Sequence, residues 1–190
     1  MVAEYSSKNI IKVPKNVTCY FCKKSNFFYV TGKIGSKLLK LEVKIYLLVD
    51  ESIIVLTNEL VKKGIGIRRQ RGLLVKTKML IKKAFLEVTR KSYKKLKLIG
   101  VGFRVSLLDF EQSKLLKFDL GYSHSVYYKI PKDIKVILNS TTRFVVSGIS
   151  SDRVCEVSSI LRKLKLPDSY KGKGILYENE EVKLKNVKKS

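Results

Sequence analysis

The chain has 190 residues, 45% of them apolar, and sets 40 Lys and Arg against 16 Asp and Glu, a formal charge of +24. That apolar content suffices for a core, so composition excludes a wholly disordered basic tail and leaves a folded protein whose cationic surface fits a polyanion, nucleic acid or an anionic membrane. A membrane span is excluded because the longest apolar stretch, residues 38–49, is broken by Lys40, Glu42 and Lys44.

Residues 1–8 have no apolar segment and do not read as a secretory signal; Glu4 and the absence of arginine before Arg68 also argue against a transit peptide. The protein is therefore expected to work in the compartment that makes it. Lysine outnumbers arginine 32 to 8, and alanine occurs only at Ala3 and Ala84, a bias toward A+T-rich codons. An organellar, mitochondrial and organelle-encoded origin is favoured, with a bacterial cytoplasm or a plastid as alternatives.

In chain order, residues 17–21, 27–31, 39–45 and 52–57 cluster or alternate β-formers and are predicted strands, punctuated by Ser25-Asn26 and by Gly32 to Gly35. Residues 64–72 are predicted to be a flexible basic loop whose Arg68, Arg69 and Arg71 meet phosphates. From residue 73 to 88, Leu80, Ile81, Ala84, Phe85 and Val88 recur at helical spacing, and the lysines between them are expected to be solvated or to face RNA.

The second block opens with period-two alternation over residues 97–107, predicted as one strand, followed by strands over 115–120, 125–130, 135–138 and 143–147. Ser150, Ser151 and Asp152 then supply helix-start chemistry, and Val154, Val157, Ile160, Leu161 and Leu164 an apolar face. Arg162, Lys163 and Lys165 close that helix, where cations favour the dipole, and Pro167 stops it. Strands followed by a helix thus occur twice. The fold class expected is α+β, two similar domains, each a small antiparallel sheet with one packed helix: residues 1–90, residues 91–177, and a basic tail over 178–190.

Catalytic and cofactor signatures are incomplete. Gly100-x-Gly102 has Val105 where a dinucleotide loop needs glycine, and the strand pattern continues where a helix should start. Cys19-x-x-Cys22 lies in a β-run, with only Cys155 and His124 as further soft ligands, so neither zinc nor redox chemistry is expected. His124, the only histidine, has no nucleophile or orienting carboxylate in a recognisable pattern. The segment from Pro167 to Tyr177 is more informative. Lys171, Gly172, Lys173 and Gly174 stand between Tyr170 and Tyr177, a combination of cation, close backbone approach and aromatic ring suited to RNA. It is not an NTPase phosphate loop, which requires a longer glycine spacing and a following helix.

Leu98-Ile-Gly-Val-Gly-Phe-Arg104, Leu120-Gly-Tyr-Ser-His124 and Tyr170-Lys-Gly-Lys-Gly-Ile175, in this order, closely resemble the ribosomal protein L-six family of the bacterial-type large subunit. The resemblance is strong over residues 91–185 and weaker before them. It implies a two-domain protein that binds large-subunit ribosomal RNA, is not an enzyme and needs no cofactor, metal or small-molecule substrate. It further implies a second domain near the sarcin–ricin loop, neighbouring ribosomal proteins and the docking region of translation factors. On that basis the expected RNA contacts are Arg104, Tyr122, Ser123, His124, Tyr170, Lys171, Gly172, Lys173, Gly174 and Tyr177. Arg162, Lys163, Lys165 and the tail residues Lys183 and Lys185 join them, as do the three arginines of the first block. The family usually has proline where Ser169 stands, arginine where Leu176 stands, and often glycine near Asn186-Val187. A free-standing RNA-binding or ribosome-assembly protein is the alternative.

Overall fold

The computed structural model describes residues 10–48, 53–60, 67–110 and 113–185, and the chain divides into two compact units between Arg90 and Lys91. In the first unit, the strands are β1 (Ile10–Lys12), β2 (Val17–Cys22), β3 (Phe27–Gly32), β4 (Ser36–Lys40), β5 (Val43–Leu48) and β6 (Ile53–Leu60), followed by the helix α1 (Ile67–Thr89). They form two three-stranded antiparallel sheets, ordered β2-β3-β4 and β1-β6-β5. The β2–β3 turn holds Asn26 at φ 55°, a left-handed conformation that asparagine tolerates. Alternation sends Val17, Phe28, Val30, Ile45, Ile54 and Leu56 inward, where they meet Ile81, Ala84, Phe85 and Val88 of α1. The Phe28 and Phe85 rings lie 6.4 Å apart and tilted.

Two expectations for this unit are corrected. The predicted strand over 39–45 is two strands, β4 and β5, because the chain turns at Leu41 and Glu42 while Leu41 itself stays buried. Of the predicted basic loop over 64–72, residues 64–66 lie outside the described residues, and the rest is helix: Arg68, Arg69 and Arg71 sit on the first turns of α1. The apolar period extends further back than Leu80, since Leu74 packs against the core, and that anchorage carries the helix through Gly72.

The second unit contains β7 (Ser92–Ile99), β8 (Arg104–Phe110), β9 (Ser113–Asp119), β10 (Val126–Lys129), β11 (Ile134–Ser140), β12 (Arg143–Gly148), the helix α2 (Ser151–Lys163) and β13 (Gly174–Tyr177). A three-stranded sheet, β10-β9-β8, accompanies a four-stranded one, β11-β12-β7-β13, again with every pairing antiparallel. The molecule is thus α+β, with small antiparallel sheets and one helix in each unit. Val154, Val157 and Leu161 of α2 pack onto Leu96, Leu98, Phe144, Val146 and Ile175. Ser150 stands at the N-cap without a side-chain capping bond, although its carbonyl accepts from the Val154 N–H.

The predicted strand over 97–107 is also two strands. The chain turns between Gly100 and Phe103, whose N–H reaches the Gly100 carbonyl at 3.3 Å. The Phe103 ring folds back so closely over Gly100 that a Cβ there would lie 2.7 Å from it. β13 was not expected as a strand. Its pairing of Ile175 with Leu98 and Leu176 with Lys97 carries the Lys171 to Gly174 loop directly onto β7, an inner strand of the four-stranded sheet.

Candidate nucleic-acid interface

Two glycine-bearing segments of the second unit, at Gly100 and at Gly121, meet around one ring. Gly121, at φ 70°, passes Phe103 so closely that a Cβ would stand 3.0 Å from the ring, so Phe103 lies against both Gly100 and Gly121. The turn that begins at Gly121 is then strapped at its base. Asp119 accepts hydrogen bonds from Ser125 Oγ and from Arg104 Nε, both at 2.6 Å. These two bonds, that of Ser125 first, hold the Asp119 carboxyl below its ordinary range.

So held, the turn leans on the end of α2. The Tyr122 hydroxyl donates to the Leu164 carbonyl at 3.1 Å, one of the carbonyls a helix end leaves without an intrahelical partner. The Lys165 ammonium lies 4.0 Å from the centre of the Tyr122 ring, and the His124 ring stacks on Tyr122 at 6.0 Å with the planes 15° apart. An exposed aromatic pair and a cation thereby sit at the C-terminus of a helix.

The loop after α2 has its own scaffold. The Asp168 carboxylate accepts from the Tyr170 and Lys171 N–H groups, its carbonyl accepts from Gly172 N–H, and its own N–H donates to the Lys173 carbonyl at 3.0 Å. Gly172 takes φ 65°. Gly174 passes the Pro167 backbone so tightly that a Cβ would lie 2.7 Å from its Cα and nitrogen, and Ile175 N–H donates to the Lys165 carbonyl. Both glycines are buried: they shape the loop and leave Tyr170, Lys171 and Lys173 on its surface.

The tail, as far as it is described, returns along this loop. Lys185 N–H donates to the Ser169 carbonyl at 2.8 Å, and the Leu184 side chain lies beside Gly172. Lys183 and Lys185 are exposed on the returning segment. Asn186 and Val187 lie outside the described residues.

Several expected contact residues are engaged within the protein. Arg162 makes a two-point ion pair with Glu180, with Nε to Oε2 at 2.9 Å and Nη2 to Oε1, and Glu180 also accepts from Tyr177 N–H. The Arg162 bond depresses the Glu180 carboxyl, and the pairing raises the guanidinium. Tyr177 is half-buried against the core, its hydroxyl pushed up by burial, with Lys94 Nζ 5.8 Å from its ring centre. Leu176 is buried on the opposite sheet face from Ile175. Arg104 is exposed but paired with Asp119.

The second unit therefore gathers Tyr122, Ser123, His124, Lys163, Lys165, Tyr170, Lys171, Lys173, Lys183 and Lys185 on the turn, the end of α2, the loop and the tail. Lys163, Lys171, Lys173, Lys183 and Lys185 form no ion pair with any described residue. Arg68, Arg69 and Arg71 are exposed on α1 of the first unit. Phe103, Asp119, Ser125 and Glu180 were missed as positioning residues. Pairing β8 with β9 in antiparallel register would have set Arg104 opposite Asp119.

Other chemistry finds little support in the geometry. Cys19 and Cys22 lie three residues apart on β2, so the two-residue strand period sends their side chains to opposite faces. The Cys19 thiol is pushed up to about 11 by burial, whereas hydrogen bonds from Ser25 lower that of exposed Cys22. Among the described residues, no three His, Cys, Asp or Glu are grouped to hold a metal ion, and no helix is long and apolar enough to cross a membrane.

Residues 99–178, which span the Phe103 turn, the Tyr122 turn and the loop, match the family described as Ribosomal protein L6. The chain is similar to large ribosomal subunit protein uL6 of Mycoplasmoides gallisepticum, 38% identical over 175 residues covering 91% of this chain and 90% of the relative. It is 32% identical to the uL6 of Syntrophus aciditrophicus over 94% of this chain and 93% of that protein. Large ribosomal subunit protein uL6m of Prototheca wickerhamii is 31% identical over 95% of each chain. With similarity running through both units, the chain belongs to the ribosomal protein L6 family, whose members are structural ribosomal proteins and not enzymes.

Proposed function

We propose that the protein is a structural constituent of the large ribosomal subunit and that it binds large-subunit ribosomal RNA through its second unit, near the factor-binding region and the sarcin–ricin loop. Translation factors and other large-subunit proteins are its neighbours there. The observation that supports this most is the convergence of the 121–124 turn, the end of α2, the 168–173 loop and the returning tail on one surface, with exposed lysines that have no acidic partner among the described residues. Lysines there release counterions from phosphates, while the exposed His124 and Tyr170 rings offer faces to unpaired bases and donors to ribose.

Residues 91–177 act as the RNA-binding domain in this proposal, residues 1–90 as a divergent partner domain, and residues 178–190 as a basic tail. An organellar or bacterial ribosome fits the relatives. The codon bias of the lysine-rich, alanine-poor chain favours a mitochondrial, organelle-encoded one.

The test is incorporation of Lys171→Glu/Lys173→Glu into large subunits, followed on sucrose gradients at moderate salt. The double variant is expected to stay folded, because neither side chain is buried, and to shift from the large-subunit fractions to the top of the gradient. Incorporation at the native level would remove the loop from the interface. Failure of the native protein to cofractionate with mature subunits would favour a free-standing RNA-binding or assembly protein.

A further inference from the structure

The outer face of the β2-β3-β4 sheet is a second surface, in the first unit. Alternation buries Val17, Phe28 and Val30 and leaves Tyr20, Phe27, Tyr29, Leu38 and Lys40 on the opposite side. Tyr20 pairs with Tyr29, which pairs with Leu38, so these three form a row straight across the sheet; Phe27, opposite Lys40, begins the adjoining row. Tyr20 is 65% exposed, Leu38 57% and Tyr29 39%. Single exposed apolar side chains are ordinary, whereas here three lie side by side in one row with two tyrosines aligned.

Charge identifies the partner. Residues 17–40, which make up this sheet and its turns, hold five lysines and no Asp or Glu; Lys37 lies on the inner face and pairs with Glu87, which leaves Lys23, Lys24, Lys33 and Lys40. Lys23 and Lys24 occupy the β2–β3 turn at one end of the sheet, near Lys40, and the Lys23 ammonium already lies 5.6 Å from the ring centre of Tyr46. A second copy of the chain would oppose like charges, whereas an anionic strand with flat rings of its own matches both the lysines and the tyrosines.

We propose that this sheet face binds unpaired bases of an RNA strand, with Tyr20 and Tyr29 as stacking platforms, Phe27 beside them, and Lys23, Lys24 and Lys40 on the adjoining phosphates. The site extends the ribosomal role to the first unit and rests on it only for the presence of RNA. Base stacking distinguishes this site from general attraction to a +24 surface, because stacking requires single strands and survives salt better than charge.

Full-length protein is titrated into a labelled single-stranded oligouridylate and into an RNA duplex of the same length, at low and moderate salt, by fluorescence anisotropy. Tyr20→Ala/Tyr29→Ala is expected to weaken single-strand binding by roughly tenfold or more, with duplex binding changed less than about twofold. Tyr20→Phe/Tyr29→Phe should retain native affinity, since the rings remain. If the alanine variant loses its helical circular dichroism, Tyr20→Thr/Tyr29→Thr, which keeps β-forming side chains, provides the same comparison. Lys171→Glu/Lys173→Glu is expected to weaken both RNAs while preserving the tyrosine-dependent difference, which separates failure of this site from failure of the loop. Unchanged single-strand affinity, or an equal loss on strand and duplex in a folded tyrosine variant, would overturn the platform and leave the row to a protein neighbour.

Discussion

Phe103 shows how one side chain organises the second unit. Its ring occupies the space that a Cβ at Gly100 or Gly121 would fill, and the turn held in this way carries Tyr122 to the end of α2. Gly174 makes the corresponding close approach in the loop, where the obstruction is the Pro167 backbone and not a movable side-chain tip. Gly174→Ala is therefore expected to cost about 1–3 kcal/mol, by overpacking, in urea denaturation of the isolated protein. A cost below a few tenths of a kcal/mol would show that the loop and Pro167 move apart freely. The two carboxylates that strap this region titrate below their ordinary values of 3.8 for Asp119 and 4.5 for Glu180. A depressed folded-state value means that their stabilisation is complete above the ordinary range and is lost as pH falls through the folded-state values. Between about pH 5 and pH 3, the melting temperature of the native protein should fall more steeply than that of Asp119→Asn/Glu180→Gln. Parallel pH profiles would remove the two straps from the stability of the unit.

At the level of elements, the two helices differ in how plainly the sequence announces them. For α2 the apolar period, the terminal cations and Pro167 agree, and the helix lies where they place it. The start of α1 was misread because Gly72 and a cluster of arginines are ordinary signs of an exposed loop. Long-range packing of Leu74, Ile81, Phe85 and Val88 overrides them. Gly72 is thus a weak point inside a 23-residue helix, and a Cβ there meets nothing within 4 Å. Gly72→Ala is expected to stabilise the protein by about 0.5–1 kcal/mol, measured as a higher urea midpoint with unchanged slope. A lower midpoint would mean that this turn of α1 is not helical in solution. The strand errors share another cause. Around Phe103, apolar alternation continues across the turn, so the pattern alone cannot separate β7 from β8. Between β4 and β5, the turn keeps a buried leucine.

For the whole molecule, composition already pointed to a polyanion, and three short glycine-bearing segments pointed to the family. The assembly of the interface was less legible because its bonds join distant positions: Tyr122 and Leu164 are 42 residues apart, and Arg162 and Glu180 are 18 apart. The latter pair gives Arg162 a partner within the protein that its sequence position does not reveal, while the turn, the loop and the tail were each recognisable singly. The clearest measurement is lysine footprinting by acetylation and mass spectrometry, comparing the free protein with purified large subunits. Lys163, Lys171, Lys173, Lys183 and Lys185, exposed in the free chain, are expected to be modified there and protected in the subunit. Full modification of Lys171 and Lys173 in assembled subunits would contradict an RNA interface at this loop.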